Sequence, residues 1–259
     1  MLSFICCCKD KSVDYNSENK SIPVIAYKYI KSYPHDTTSF TEGLLVHDSK
    51  LYESTGSPKE LTYTQSLFGV VDMTTGKIDT KVLLDKGKYF GEGIAFLNGK
   101  VFQLTYRNKV GFVYDAKTFK KLKEFAIPSK EGWGLTTDGT NLIMSDGTYI
   151  LTYLDPETLQ VKKTISVTEN GNAKDYLNEL EYINGYIYAN IWTTNNIVKI
   201  NPNDGKVVGV IYLNDLSLEA NYLYRHSLEM NGIAYDSITN KIYVTGKLWP
   251  KIYEIELLN

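Results

Sequence analysis

Five times along this chain a residue followed by Gly and an aliphatic opens an apolar run. The copies read Glu42-Gly43-Leu44, Glu92-Gly93-Ile94, Trp133-Gly134-Leu135, a degenerate Glu179-Leu180-Glu181, and Asn231-Gly232-Ile233. The steps are 50 residues from Gly43 to Gly93, 41 to Gly134, 46 to Leu180 and 52 to Gly232. Recurrence at that period marks a β-propeller or another repeat array, because a single unit of this size cannot bury its apolar face alone. It also gathers the five residues that begin the phrases into one ring.

Each copy starts a two-strand unit with a tight turn. Gly43–His47 returns through Asp48-Ser49-Lys50, Gly93–Leu97 through Asn98-Gly99 and Gly134–Thr137 through Asp138-Gly139. The fourth turns at Asn184-Gly185 and the fifth near Thr239-Asn240. Asn-Gly and Asp-Gly between apolar runs are strong hairpin signals, since both residues tolerate positive φ. A second hairpin follows, turning on Asp72 to Lys77, Asp115 to Lys120, Asp155 to Gln160 and Asn201 to Lys206. Two hairpins per repeat make a four-stranded blade. The fifth repeat runs out at Ile252–Leu258, so the unassigned strand Val24–Ile30 is expected to complete it. The expected architecture is an all-β, five-bladed β-propeller with the last blade closed by an N-terminal strand.

The totals exclude several classes. A formal net charge of -2 argues against a nucleic-acid partner. No stretch approaches the roughly 20 apolar residues of a membrane span, so no transmembrane helix is expected. All three cysteines stand together as Cys6, Cys7 and Cys8, which leaves the body without a disulfide framework or a Cys-based zinc site. Three histidines without metal-ligand spacing argue against a His-rich metal centre. No metal site is expected, although a structural cation in the central channel stays open. Residues 1–21 read as an apolar, Cys-containing tail and a polar tether, and 22–259 as a single catalytic propeller domain. One reading of Cys6–Cys8 is a lipid anchor on an exported bacterial lipoprotein, periplasmic or membrane-held. The other is a cytosolic tail with incidental thiols.

Propeller geometry gives the ring chemical meaning. The start of each inner strand lies on the same face as the loop joining the second and third strands. That face should collect Glu42, Glu92, Trp133, Glu179 and Asn231, with Tyr106, Trp192, Lys247 and Trp249 from the loops, so that all three tryptophans meet there. Carboxylates crowded in a partly apolar mouth should have raised pKa values and serve as acids or bases near neutrality. Aromatic walls bind a small group and exclude water.

These residues carry a resemblance. Tyr33-Pro34-His35-Asp36, Phe40-Thr41-Glu42-Gly43-Leu44, Phe90-Gly91-Glu92-Gly93-Ile94, Glu131-Gly132-Trp133-Gly134-Leu135, Met144-Ser145-Asp146-Gly147, Leu177-Asn178-Glu179-Leu180-Glu181-Tyr182, Asn190-Ile191-Trp192 and Val244-Thr245-Gly246-Lys247-Leu248-Trp249-Pro250 resemble the plant and bacterial type of glutaminyl-peptide cyclotransferase, in collinear order from Tyr33 onward. The resemblance implies cyclisation of an N-terminal glutamine to pyroglutamate with loss of ammonia, on peptides or proteins as substrates and with no cofactor required. It implies Glu92 as the acid–base residue and an aromatic pocket of Phe90, Trp133 and Trp192. It also implies polar roles for Asn178 and Lys247 at the substrate carbonyls and the oxyanion.

The chain departs from the family pattern twice. Glu42 stands where many members have Gln, adding an acid beside Glu92 that would raise its pKa or contact the substrate ammonium. Tyr106 stands where a Trp is common and keeps an aromatic face. The long segment Leu216–Glu229 either overhangs the pocket or is a plain surface insertion. Two other classes remain at this point: a non-catalytic propeller that binds proteins, and a metal-dependent propeller hydrolase such as a lactonase.

Overall fold

Asn98 and Gly99 take φ of 52° and 70°, and Asn184 and Gly185 take 48° and 85°. Two consecutive residues in the left-handed region are what a two-residue hairpin requires to match strand twist. Asp48 and Ser49 do the same without a glycine, at 47° and 58°. The computed structural model describes residues 21–258, and in it each of these turns joins the two inner strands of a blade. Cys6–Cys8 and the tether to Lys20 lie outside the described residues.

Blade 1 comprises Phe40–His47, Lys50–Gly56, Leu67–Val71 and Ile78–Leu83; blade 2 comprises Gly91–Leu97, Lys100–Thr105, Val110–Asp115 and Lys121–Ala126. Blade 3 is Leu135–Thr137, Leu142–Met144, Ile150–Leu154 and Val161–Ser166, and blade 4 is Leu177–Ile183, Tyr186–Ile191, Asn196–Ile200 and Val207–Tyr212. Blade 5 is Met230–Asp236, Lys241–Gly246, Lys251–Leu257 and, outermost, Tyr27–Pro34. Every neighbouring pair within a blade is antiparallel. The second hairpins share one turn, in which the backbone N–H of Asp72, Asp115, Asp155 or Asn201 donates to a carbonyl five residues on. Four clusters of buried side chains fill the seams between successive blades, and a fifth joins blade 5 to blade 1. Among the described residues no helix is long and apolar enough to cross a membrane.

The ring closes as expected, but with different strand limits. Tyr27–Pro34 pairs with Lys251–Leu257, whereas Val24 leaves blade 5 and bridges Val210 on the outer strand of blade 4. Ile25 N–H donates to Val210 O at 2.8 Å, and Val210 N–H to Pro23 O at 3.0 Å. One N-terminal segment therefore fastens two blades. Its limits are set by a partner more than 200 residues away, which local β-propensity does not register.

The inner strands approach so closely that Gly is a spatial requirement. A Cβ on Gly134 would run into the Asn178 carbonyl oxygen, and one on Gly93 into the backbone of Trp133, Gly134 and Leu135. Gly134→Ala is expected to cost about 1–3 kcal/mol by overpacking against backbone that cannot move aside, measured as a loss in urea unfolding.

This packing corrects the fourth phrase. Gly134 faces Asn178 and Glu179, and Leu180 pairs with Ala189 as Ile94 pairs with Gln103. The member of the ring in blade 4 is therefore Asn178, not Glu179. Glu179 occupies the glycine position and sends its carboxylate into the channel. There Oε1 accepts from Leu44 N–H at 3.2 Å and Oε2 from Ile233 N–H at 2.8 Å, tying blades 1 and 5 to blade 4. Burial raises its pKa, helped by Glu181 and opposed by those two amides. The register is masked in the sequence because an acid, Glu179, replaces the usual Gly.

Candidate active site

Four of the five inner strands break register at the ring: between Thr41 and Gly43, Gly91 and Ile94, Leu177 and Leu180, and Met230 and Ile233. A bulge re-aims a side chain out of the alternation of its strand. Glu42, Glu92 and Asn178 consequently reach one cavity of about 180 Å³ at the mouth of the channel, lined also by Phe40, Phe90, Tyr106, Trp133, Trp192, Glu229 and Lys247. All eight residues expected to form the site are brought together. Asn231 stays behind them, fully buried, its amide donating to Thr41 O and Glu42 Oε2 at 2.9 Å each. Trp249 is not part of the wall. Its ring is buried against Gly246 in the core between blades 4 and 5, and its indole N–H donates to Leu228 O.

The wall is a chain of rings. Phe40 meets Phe90 edge-on at 5.9 Å, Phe90 lies 5.7 Å from Tyr106, Tyr106 6.4 Å from Trp133, and Trp133 5.6 Å from Trp192. Two carboxylates fix the indoles. Trp133 Nε1–H donates to Glu131 Oε2 at 3.1 Å and Trp192 Nε1–H to Glu229 Oε1 at 3.0 Å. Such bonds hold the ring planes in place and leave their faces to the ligand.

The polar side centres on one cation. Lys247 Nζ lies 3.0 Å from Glu42 Oε1, 3.5 Å from Glu229 Oε1 and 4.6 Å over the Phe40 ring. Burial lowers the Lys247 pKa, but Glu42, Glu229 and Glu92 together hold it above the ordinary lysine value. Burial pushes Glu42 up to about 7 against the pull of Lys247. Glu92 is raised well above the usual carboxylate range, first by burial and then by the charge of Glu42, with Lys247 opposing. Among the described residues no protein donor bonds the Glu92 carboxyl, and the Asn178 side-chain amide has no protein partner either. Both are open to the cavity.

Glu131, Glu229 and Phe40 join the eight expected residues at the site. Each stands two places before a ring member: Phe40 before Glu42, Phe90 before Glu92, Glu131 before Trp133, Tyr176 before Asn178, Glu229 before Asn231. Tyr176 fits the series, packing on Trp192 at 5.9 Å. Apart from Phe40, these residues stand just before their inner strand begins, so the recurring two-residue spacing, not strand alternation, marks them in the sequence. The long segment before blade 5 proves to be both covering and lining. Its helix Asn214–Leu223 buries Leu216 and Ala220 in the core between blades 4 and 5. Its end pairs with the Lys247 loop (Leu228 N–H to Lys247 O, Lys247 N–H to Glu229 O) and so delivers Glu229 to the pocket.

Among the described residues no three His, Cys, Asp or Glu side chains gather as a metal-holding group. A closed propeller with a small pocket of buried acids and aromatic walls at its channel mouth defines an enzyme site more than a flat docking platform. Comparison with known proteins makes the class specific. The family profile described as glutamine cyclotransferase matches residues 2–257. The Arabidopsis thaliana protein named glutaminyl-peptide cyclotransferase is 41% identical over 248 residues, covering 95% of this chain and 74% of that protein. The crystal structure of Myxococcus xanthus glutaminyl cyclase superposes with a TM-score of 0.82 at 32% identity, covering 91% of this chain and 98% of that one. The chain belongs to the glutamine cyclotransferase family, and it is an acyltransferase of the glutaminyl-peptide cyclotransferase type.

Proposed function

We propose that this pocket cyclises the N-terminal glutamine of peptides and proteins, with Glu92 as the group that moves the proton. The observation that carries the assignment is a buried carboxyl, free of protein donors and raised in pKa, that faces a pocket walled by aromatic rings. At about 180 Å³ the pocket is smaller than the roughly 300–1,000 Å³ of clefts for drug-sized ligands, which suits a single folded residue. The uncharged α-amine attacks the side-chain carbonyl carbon, forming the ring C–N bond and moving the carbonyl π pair onto oxygen. The attacking nitrogen gives its proton to the Glu92 carboxylate. The tetrahedral centre then expels the amide nitrogen, which takes that same proton and leaves as NH₃. One group serves both transfers if its pKa lies near the working pH.

Rings from Phe90 to Trp192 favour the folded conformer that brings amine and carbonyl together. On this reading the free Asn178 amide and the Lys247 ammonium serve as donors to the substrate carbonyls and the developing oxyanion. This chemistry needs no cofactor. Glu42 is held by Lys247 and Asn231, so its contribution is to raise Glu92 rather than to transfer protons itself. Glu42→Gln is therefore expected to move the acid limb of the kcat/KM profile down by about one pH unit, because it removes a like charge beside Glu92 and frees Lys247 toward it. The test of the whole reading is ammonia release from a Gln-peptide with and without a chelator. Turnover that survives chelation is expected, and its absence with every Gln-peptide would overturn the assignment.

A further inference from the structure

The connection between the second and third strands of blade 1 spans positions 57–66, whereas its counterparts span 106–109, 145–149, 192–195 and 247–250. The extra chain is folded tightly. Thr64 Oγ1–H donates to Leu61 O at 2.7 Å, and the hydroxyls of Ser57 and Thr64 lie 2.9 Å apart. Lys86 Nζ, from the blade 1–2 linker, donates to Thr62 O at 2.9 Å and Thr64 O at 3.0 Å. Between this loop and the linker runs a groove of about 330 Å³, whose lining includes Phe90 and Tyr106. Those two rings also line the active pocket, so the groove and the pocket share a wall.

The groove is strongly biased in charge. Lys59, Lys86, Lys88 and Arg107 line it against a single acid, Glu60, on a chain whose formal net charge is -2. The Arg107 guanidinium is stacked 4.6 Å over Tyr106, at the shared wall itself. On the reading that the pocket takes an N-terminal glutamine, the second and later residues of the substrate must leave through its mouth. At roughly 3.3–3.6 Å per extended residue, a few of them are enough to enter an adjoining groove. The geometry points to a substrate subsite: this groove receives the stretch that follows the glutamine and favours side-chain carboxylates there.

The cations are exposed, so each pairing is weak and is screened by salt. The test measures kcat/KM for C-terminally amidated peptides that carry Gln first and Glu, Gln or Lys scanned through positions 2–5. The parent protein is compared with a K59Q/K88Q/R107Q variant at low and high ionic strength. The expected result is a three- to tenfold advantage of Glu over Gln peptides at one or two positions, expressed mainly in KM. It should shrink in 0.5 M salt and collapse to a ratio near one in the variant. Equal rates for all peptides, or a preference that persists in the variant, would overturn the subsite while leaving the cyclase reading intact. A preference seen only with free, non-amidated short peptides would also overturn it, since the groove would then be reading chain ends. If no N-terminal Gln peptide turns over, the underlying reading fails instead.

Discussion

Glu92→Gln is expected to fold like the parent protein and to lose at least about a hundredfold in kcat, the scale of a lost acid–base group. The substitution isolates the proton function. The amide has nearly the shape of the carboxyl, and no protein hydrogen bond among the described residues depends on the Glu92 side chain. Folding should improve slightly if anything, because a buried acid is replaced by a group that never ionises. The Glu92 carboxyl is disfavoured as an anion by burial and by Glu42. A folded-state pKa above the unfolded one means that stability is full below about 4.5 and declines as the pH rises through the native value. The variant should therefore be less sensitive to pH over that range. KM should change little, since aromatic contacts and the Asn178 and Lys247 donors remain. Single-turnover ammonia release is the measurement that checks this, together with a melting curve to confirm the fold. A variant that keeps full turnover would move the proton transfer to another group. A variant with normal kcat and a raised KM would make Glu92 a binding residue.

The phrase repeat and its turns made the blade count and the inner hairpins readable from the chain, because a propeller writes its architecture in local signals. What escaped is equally physical. The closing strand runs over Tyr27–Pro34 instead of Val24–Ile30, since its limits come from pairing with Lys251–Leu257 and from the detour of Val24 to Val210. The fourth phrase lies one residue earlier than its wording suggests, because Glu179 fills a channel space that Gly occupies in the neighbouring blades. Resemblance named Asn178 as a site residue, and the bulge register explains why it belongs there. Glu131 and Glu229 were invisible as single acids. Glu131 serves an indole only two places on, and Glu229 an indole and an ammonium from loops distant in sequence, and neither role shows in a single acid. Trp249 is the converse case: it stands two places from Lys247 in the chain, yet its ring is buried against Gly246 among the core side chains between blades 4 and 5.

Glu53→Ala is expected to be the most destabilising single change outside the pocket, at about 3–5 kcal/mol, or a fall in Tm on the order of 10 °C for a chain of this size. The reason lies in a charge at the seam that closes the ring. His35 Nδ1 is 2.7 Å from Trp249 O, and Nε2 lies 3.0 and 3.1 Å from the two Glu53 carboxylate oxygens. A carbonyl cannot donate, nor can an ionised carboxylate, so with Glu53 ionised both ring nitrogens carry hydrogen and the imidazole is a cation, with both side chains fully shielded from water. Burial alone would lower the His35 pKa; Glu53 outweighs it and leaves the value raised. Thr41 Oγ1–H also donates to Glu53, at 2.7 Å, and His35 N–H donates to Pro250 O at 3.0 Å. Removing the carboxylate would strand the cation and loosen the Lys247–Pro250 loop from blade 1. The conservative variant discriminates charge from packing. In Glu53→Gln the amide can donate to Nε2, so His35 becomes neutral with both bonds kept and most of the stability should remain. The pH dependence should then change sign-consistently. In the parent protein the pair contributes fully below the unfolded-state value of about 6.5 and is lost as pH rises through the higher native-state value. Other buried acids, such as Glu181 at about 8, decline in the same direction, so the diagnostic quantity is the difference between parent and Glu53→Gln. That difference should be largest at pH 6 and narrow toward alkaline pH in thermal melts. A gap that stays constant across the range would mean that His35 is neutral in the native protein and that the seam is held by packing and backbone bonds alone.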